Sequence, residues 1–305
     1  MLKYTIRRFL WIIIVLFVVA FITFSLMHLV PGGPWDREKA LAPQVVENLN
    51  IKYGLDKPFF EQFGNYLWGL LHGDLGSSYT YQDRSVTDII LQGLPKTATL
   101  GGVAFLLSLL IGIPLGMAAA LRRNSIVDYI SVFLSTIFAS IPGFVLGILL
   151  IILFSVTLHL LPTGGWGSPK QIILPAIALA ALPAAYIARI TRASMLDVMR
   201  QDYIRTARAK GLQERVVLIR HTLRNALIPV ITVAGPELAF LISGSFIIEN
   251  LFSIPGIGRL FVQGVFNRDY GLIMGSILFY AFVVAMVNLA VDLLYGVIDP
   301  RIRYE

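Results

Sequence analysis

Six apolar stretches, near Phe9–Val30, Thr97–Leu121, Tyr129–Leu158, Ile172–Ile190, Ala226–Ile248 and Gly271–Ile298, are each long enough to cross the roughly 30 Å of a bilayer's hydrocarbon, which takes about 20 helical residues. No other feature limits the fold as much. In lipid, the backbone polar groups of a span must be satisfied within the protein, so segments of this kind are helices, and six of them predict an all-α membrane protein. The composition agrees: with 56% hydrophobic and 14% charged residues, a 305-residue chain has more apolar surface than one water-facing domain can hide. The first stretch follows Lys3, Arg7 and Arg8, as a secretory signal does. Its apolar run is too long for such a signal, and Met27–Pro34 offers no small-x-small cleavage site, so 1–30 is expected to stay as an anchor.

The charges orient the spans. Three Lys or Arg precede the first stretch, Arg122 and Arg123 follow the second, nine lie between Arg189 and Arg224, and Arg301 and Arg303 sit in a tail over 299–305. The opposite side carries six in the long segment from Pro31 to Lys96, then Lys170, Arg259 and Arg268. Short loops rich in Lys and Arg remain in the cytoplasm, whereas long translocated loops are largely exempt, so both termini are expected to be cytoplasmic. The net charge of +7 is accounted for by these loops, and no nucleic-acid partner is expected. The chain has no Cys, and its four His residues (His28, His72, His159 and His221) lack metal-ligand spacing, so no metal site is expected.

Within the basic region, Asp202-Tyr203-Ile204-Arg205-Thr206-Ala207-Arg208-Ala209-Lys210-Gly211 reads as a helix of about two turns, with Asp202 as N-cap and Gly211 supplying the left-handed turn that ends it. Seven basic residues lie from Arg200 to Arg224, and burying them at a bilayer centre would cost about 20 kcal/mol, so the segment is aqueous. Tyr203, Ala207 and Gly211 share a face on which small residues let another protein approach, and Arg205, Arg208 and Lys210 offer contacts to carboxylates. The plainer alternative is a basic loop that fixes topology or touches anionic lipid.

Nine residues after Gly211 come His221-Thr222-Leu223-Arg224-Asn225-Ala226 and a new apolar run reaching Pro229. This layout resembles the cytoplasmic loop of ABC importer membrane subunits, whose general pattern is Glu-Ala-Ala, three residues, Gly, nine residues, Ile-x-Leu-Pro. Ala207, Gly211 and Leu223 match it. Arg205, Thr206, His221 and Arg224 depart from the general form, and the version Arg-Thr-Ala-Arg-Ala-Lys-Gly resembles that of the dipeptide and oligopeptide permease branch. Pro31-Gly32-Gly33-Pro34 and Gly73-Asp74-Leu75-Gly76-Ser77-Ser78 are similar to features of that branch, although Gly33 stands where it usually shows Asp.

The resemblance implies a type I ABC importer permease fold with an extracytoplasmic insertion after the first helix. It divides the chain into the anchor, a cap over 31–96, a permease core over 97–298 with a coupling loop over 193–225, and the tail. It also implies half of a translocation pathway for dipeptides, oligopeptides or a related small ligand. The partners it implies are a second homologous permease, two ABC ATPase subunits gripping Asp202, Tyr203, Arg205, Thr206, Ala207, Arg208, Ala209 and Gly211, and an extracytoplasmic binding protein. ATP and magnesium would be held by those ATPases, and this chain would bind no cofactor.

Candidate pathway residues come from polar groups and breaks inside the spans. Glu237 follows Pro236 in the fifth stretch, where an acid is costly unless it meets water or a partner; it could line the passage, pair with Ser243 or a neighbouring helix, or simply be protonated. Ser243 and Glu249 lead into Ile254-Pro255-Gly256-Ile257-Gly258, a turn that resembles the family's outer gate. Pro142-Gly143, Pro175 and Pro183 are kink sites. Asn288 and Asp292 share one face of the last stretch, and Asp292, near its cytoplasmic end, is expected to pair with a basic loop residue. The chain contains no Gly-x-x-x-x-Gly-Lys-Ser/Thr, no Gly-x-Ser-x-Gly and no His-Glu-x-x-His, so it is expected not to be an enzyme. An ion-coupled secondary transporter is the competing function and a passive scaffold a further one.

Overall fold

The computed structural model describes residues 2–35, 42–81 and 83–298. The tail 299–305, with Arg301 and Arg303, lies outside the described residues. Helix α1 (Leu2–Leu29) is the anchor; α2 (Pro43–Tyr53) and α3 (Phe59–Leu71) follow it; α4 (Val86–Leu121) is the second span. Next come α5 (Ile126–Ser140) and α6 (Gly143–Leu150), the latter prolonged by a π-helical stretch, Ile151–Thr157. Then α7 (Pro169–Met199) leads to α8 (Asp202–Ala209), α9 (Glu214–Val216), a second π-helical stretch (Val217–Leu223), α10 (Arg224–Ser243), α11 (Phe246–Leu251), α12 (Ile257–Phe266) and α13 (Tyr270–Ile298).

Among the described residues, five helical stretches are long and apolar enough to cross a membrane, and α5 with α6 and its π-helical extension pass the same test only together, bent by 102°. The bend falls at Ile141-Pro142, where extended dihedrals replace helical ones and Pro142 caps α6, so the expected kink is a sharp break. Pro175 and Pro183, by contrast, lie inside one continuous α7. The fourth and fifth spans also outrun their apolar stretches. Helix α7 continues to Met199, and Glu214 to Leu251 forms one stretch, so the loop expected over 193–225 narrows to the residues around α8.

Helix α7 lies at the centre, packed on α4, α5, α6 and α10. It presents Ala176, Ala180, Ala184 and Ala188, all buried, to its neighbours. On α4, a Cβ at Gly112 would stand 2.7 Å from the carbonyl oxygen of Ala184, and one at Gly116 would collide with that of Ala188. Glycine therefore sets the approach of the two backbones, as it does wherever membrane helices pack without a hydrophobic driving force. Helix α1 packs on α13, through Ala20, Phe24 and Met27 against Met274 and Leu278. Near the other end of that pair, Arg8 Nη2 lies 2.9 Å from Asp292 Oδ2, so a residue of α1 is a partner of Asp292. The segment between α3 and α4 is tied to α13 by buried Asp269, whose carboxylate accepts from the Ser78 hydroxyl, from Thr80 N at 3.0 Å and from Leu272 N at 3.1 Å.

Candidate functional site

Helix α8 starts at Asp202 because Gln201 keeps an extended backbone, with φ −70° and ψ 147°. The N-cap is therefore Gln201, not Asp202 as its residue type suggested. Asp202 is the first helical residue, where its charge still favours the positive end of the helix. At the other end Gly211 has φ +78°, the left-handed turn expected of it, and its N–H donates to the Arg208 carbonyl at 2.9 Å.

One face of α8 is already covered by the chain. Ile204 and Ala207 are buried against Val217, with Val198 alongside. This corrects the expectation that Ala207 offers its small surface to a partner: its size lets α8 sit close to the end of α7 and the start of the next helix. Tyr203, half-exposed, accepts a hydrogen bond at its hydroxyl from Asn225 Nδ2 at 3.2 Å. Thr206 Oγ1 donates to the Asp202 carbonyl at 3.0 Å, and Arg208 makes two bonds to Glu214, at 3.1 and 2.7 Å. The groups left on the open face are Arg205, whose side chain is 74% exposed and 3.6 Å from Asp202, with Ala209 and Lys210. Helix α8 thus meets α7 at Val198 and α10 at Asn225.

A second junction stands at the far end of α10, where Gly244 (φ +103°) breaks the helix. Ser245 caps α11, and Glu249, fully buried, reaches across to α4 and α12. Its Oε1 accepts from Thr97 Oγ1 at 3.1 Å, and its Oε2 accepts from Gly258 N at 2.9 Å and Arg259 N at 3.3 Å. Thr97 Oγ1 in turn accepts from Ile257 N at 2.9 Å. The carboxylate thus sits on the N-terminus of α12, where free N–H groups and the helix dipole favour an anion. A Cβ at Gly244 would lie 2.8 Å from Glu249 Oε1, and one at Gly256 would strike Oε2. The Glu, Gly and Pro-Gly-x-Gly of the sequence are therefore parts of one packed knot.

Glu249 is closed off from any open face in this structure. Ser243 is buried as well, its hydroxyl donating to the Phe240 carbonyl at 2.9 Å, so it is not the partner of Glu237. Pro142 is exposed at the bend. Glu237 is only partly buried, next to an exposed stripe of Ile228, Thr232, Pro236 and Phe240, and its carboxylate meets no hydrogen-bonding or ionic partner among the described residues.

Replacing Glu249 with Ala removes the acceptor of two buried donors, Thr97 Oγ1 and Gly258 N, and of one partly buried, Arg259 N, each buried one worth about 1–3 kcal/mol when left unmade. The expected result is a loss of at least ~2 kcal/mol of stability, with Glu249→Gln losing less because an acceptor oxygen remains. Thermal unfolding in detergent measures both; equal midpoints for Glu249→Ala and the parent protein would contradict the role of the knot.

Two further contacts escaped the sequence. Asp128, buried in the first turn of α5, accepts from Arg192 Nε at 2.6 Å, from Arg192 Nη2 at 2.8 Å and from Asn124 N at 3.0 Å. Thr97 is the other, an unremarkable edge residue of an apolar stretch until Glu249 meets it. The available signal for Asp128 was its position, an acid just inside a span that a basic residue on another span had to answer.

Two family descriptions match the chain: "Binding-protein-dependent transport system inner membrane component" over residues 112–304 and "Binding-prot-dependent transport system membrane comp, N-term" over residues 1–101. The oligopeptide transport system permease protein OppB of Escherichia coli (strain K12) is 44% identical over 306 residues, covering 100% of both chains. The dipeptide transport system permease protein DppB of Bacillus subtilis (strain 168) is 43% identical over 303 residues, covering 99% of this chain and 98% of its own. Among solved structures, an inward-facing form of the MetNI methionine ABC transporter aligns with TM-score 0.58 and 20% identity, over 69% of this chain and 96% of that one. An amino acid ABC transporter aligns with TM-score 0.53 and 18% identity, over 71% and 95%. At these identities the structural likeness speaks for the fold, which is that of a type I ABC importer permease.

Proposed function

Because the chain belongs to the binding-protein-dependent transport system inner membrane components, and is a membrane-spanning subunit of an ABC importer, we propose that it forms one half of a pathway for dipeptides or oligopeptides driven by ATPases gripping α8. The observation that carries this is the seating of α8. A short cationic helix, held against the end of α7 and the start of α10, gives a neighbouring protein one handle on two spans at once.

In this proposal both termini and α8 are cytoplasmic, a second homologous permease completes the pathway, and two ATPase subunits bind ATP and magnesium. The chain has no phosphate-binding loop of its own, and the chemistry stays with those subunits. A binding protein delivers cargo at the outer side, where the segment before α4 is fastened to α13. Closure of the ATPases displaces α8, the α7 and α10 spans move with it, and the knot around Glu249 carries the motion to α4 and α12. Glu237, which meets no hydrogen-bonding or ionic partner among the described residues, faces the passage in this proposal.

The test is uptake of a labelled oligopeptide into proteoliposomes holding the complete assembly and its binding protein. Uptake is expected to require ATP and to be indifferent to proton and sodium gradients. Gradient-driven uptake without ATP would reverse the assignment in favour of an ion-coupled carrier.

A further inference from the structure

Helix α3 stands away from α1 by the thickness of interleaved rings: Phe63 meets Phe17 and Phe24 at ring-centroid distances of 5.9 and 5.3 Å, and Phe59 meets Phe24 at 5.0 Å. Its outward side carries Phe60, Trp68 and Leu71, all largely exposed. The side chains it meets on α1 run from Phe17 to His28, so α3 lies along the outer half of a membrane span and not above it. Behind it, a cleft of about 680 Å³ opens between α1, α3, α4 and α13. That volume falls within the roughly 300–1,000 Å³ of ligand pockets.

The cleft is walled by hydrocarbon. Ile13 and Phe17 of α1, Leu67 and Leu71 of α3, Leu91 of α4 and Phe282 of α13 are representative of its lining. The only hydroxyl in it, that of Thr87, is already spent, donating to the Gly73 carbonyl at 3.2 Å and accepting from Leu75 N at 3.0 Å. A peptide or a headgroup would find no polar group there to answer its own, whereas a saturated chain would lose nothing by entering. On α1 the cleft-lining Ile13 and Phe17 stand next in sequence to Ile14 and Val18, which with Leu10 and Ile22 are exposed along the span.

We propose that the cleft between α1, α3, α4 and α13 binds an acyl chain of a bilayer phospholipid, and that α3 is an interfacial helix covering it, with Trp68 near the headgroups. The lipid fills the space beside the direct contact of α4 with α13, where Val86 and Ile90 pack with Leu272. Aromatic residues such as Trp68 favour this depth, their apolar ring in the chains and their N–H toward water.

The experiment uses the complete assembly in nanodiscs containing phosphatidylethanolamine with a diazirine on its acyl chain, followed by irradiation and peptide mapping. Label is expected on Leu67, Leu71, Leu91 or Phe282 as well as on the outer surface of α1. Leu91→Trp, which fills the cleft, is expected to lower the cleft label severalfold and leave that on Ile14 and Ile22 unchanged. Label confined to the outer surface of α1 would overturn the proposal, and so would thiol-specific crosslinks from Leu71→Cys or Leu91→Cys to the second permease, which would make the cleft a protein interface. Should Leu91→Trp fail to assemble, the labelling map of the unaltered protein decides.

Discussion

Gly211→Pro is expected to lower ATP-driven uptake roughly 5- to 150-fold, the span of ordinary coupling free energies, while ATP hydrolysis by the assembly persists. The reason is local and severe. Gly211 has φ +78°, a value closed to proline, and its N–H holds the end of α8 by donating to Arg208. Proline loses both the turn and the bond, so α8 is no longer delivered to its seat on Val217. Gly211→Ala, which keeps the N–H and costs only about 1–3 kcal/mol of backbone strain, should lie between the two. Arg205→Glu tests the open face separately, because the exposed Arg205 side chain pairs with Asp202 among the described residues and takes no part in the packing of Ile204 and Ala207. Reversal at Arg208 is a poorer probe, since it also breaks the two bonds to Glu214. Hydrolysis and uptake measured on the same proteoliposomes separate the outcomes: wild-type uptake in both Gly211→Pro and Arg205→Glu would remove α8 from the coupling role.

Asp128→Ala is expected to destabilise the fold by about 3 kcal/mol, toward the lower end of what breaking a buried ion pair costs. The Asp128 side chain is 4% exposed and that of Arg192 28%, so the orphaned guanidinium is partly, but not wholly, rescued by solvent. The pair rivets the first half of the bent span to α7, the helix that ends beside α8. Asp128→Ala combined with Arg192→Leu should recover part of the loss, because no unpaired charge then remains in the interior. Unfolding midpoints of the two single variants and the double variant form the cycle. Additive losses would show that the two side chains do not act together.

How far the candidate sites were legible differs from residue to residue. The basic segment could be placed in water because the cost of burying its charges is a sum over residues, independent of what surrounds them. Gly211 could be assigned its turn because only the local backbone is involved. Ala207 could not be assigned its face, since a small residue suits a partner's surface and the chain's own packing equally well, and Val217 decided in favour of the latter. For Glu249 the resemblance to the family's outer gate grouped it with Gly256-x-Gly258, yet nothing local says that Thr97, 152 residues away, donates to it. Asp128 and Arg192 are 64 residues apart, and nothing local to either says that they meet.

By itself the sequence determined that the chain crosses a membrane in helices, how many apolar stretches it has for doing so, and where its basic segment must lie, because hydrophobic length and charge burial accumulate residue by residue along the chain. Only the tertiary structure decided that one span is bent by 102°, that α8 is clamped to two spans, and that the buried acids Glu249 and Asp128 meet their donors. Those outcomes depend on how each helix is turned about its axis and how closely glycine and alanine let backbones approach, and no single segment carries that information.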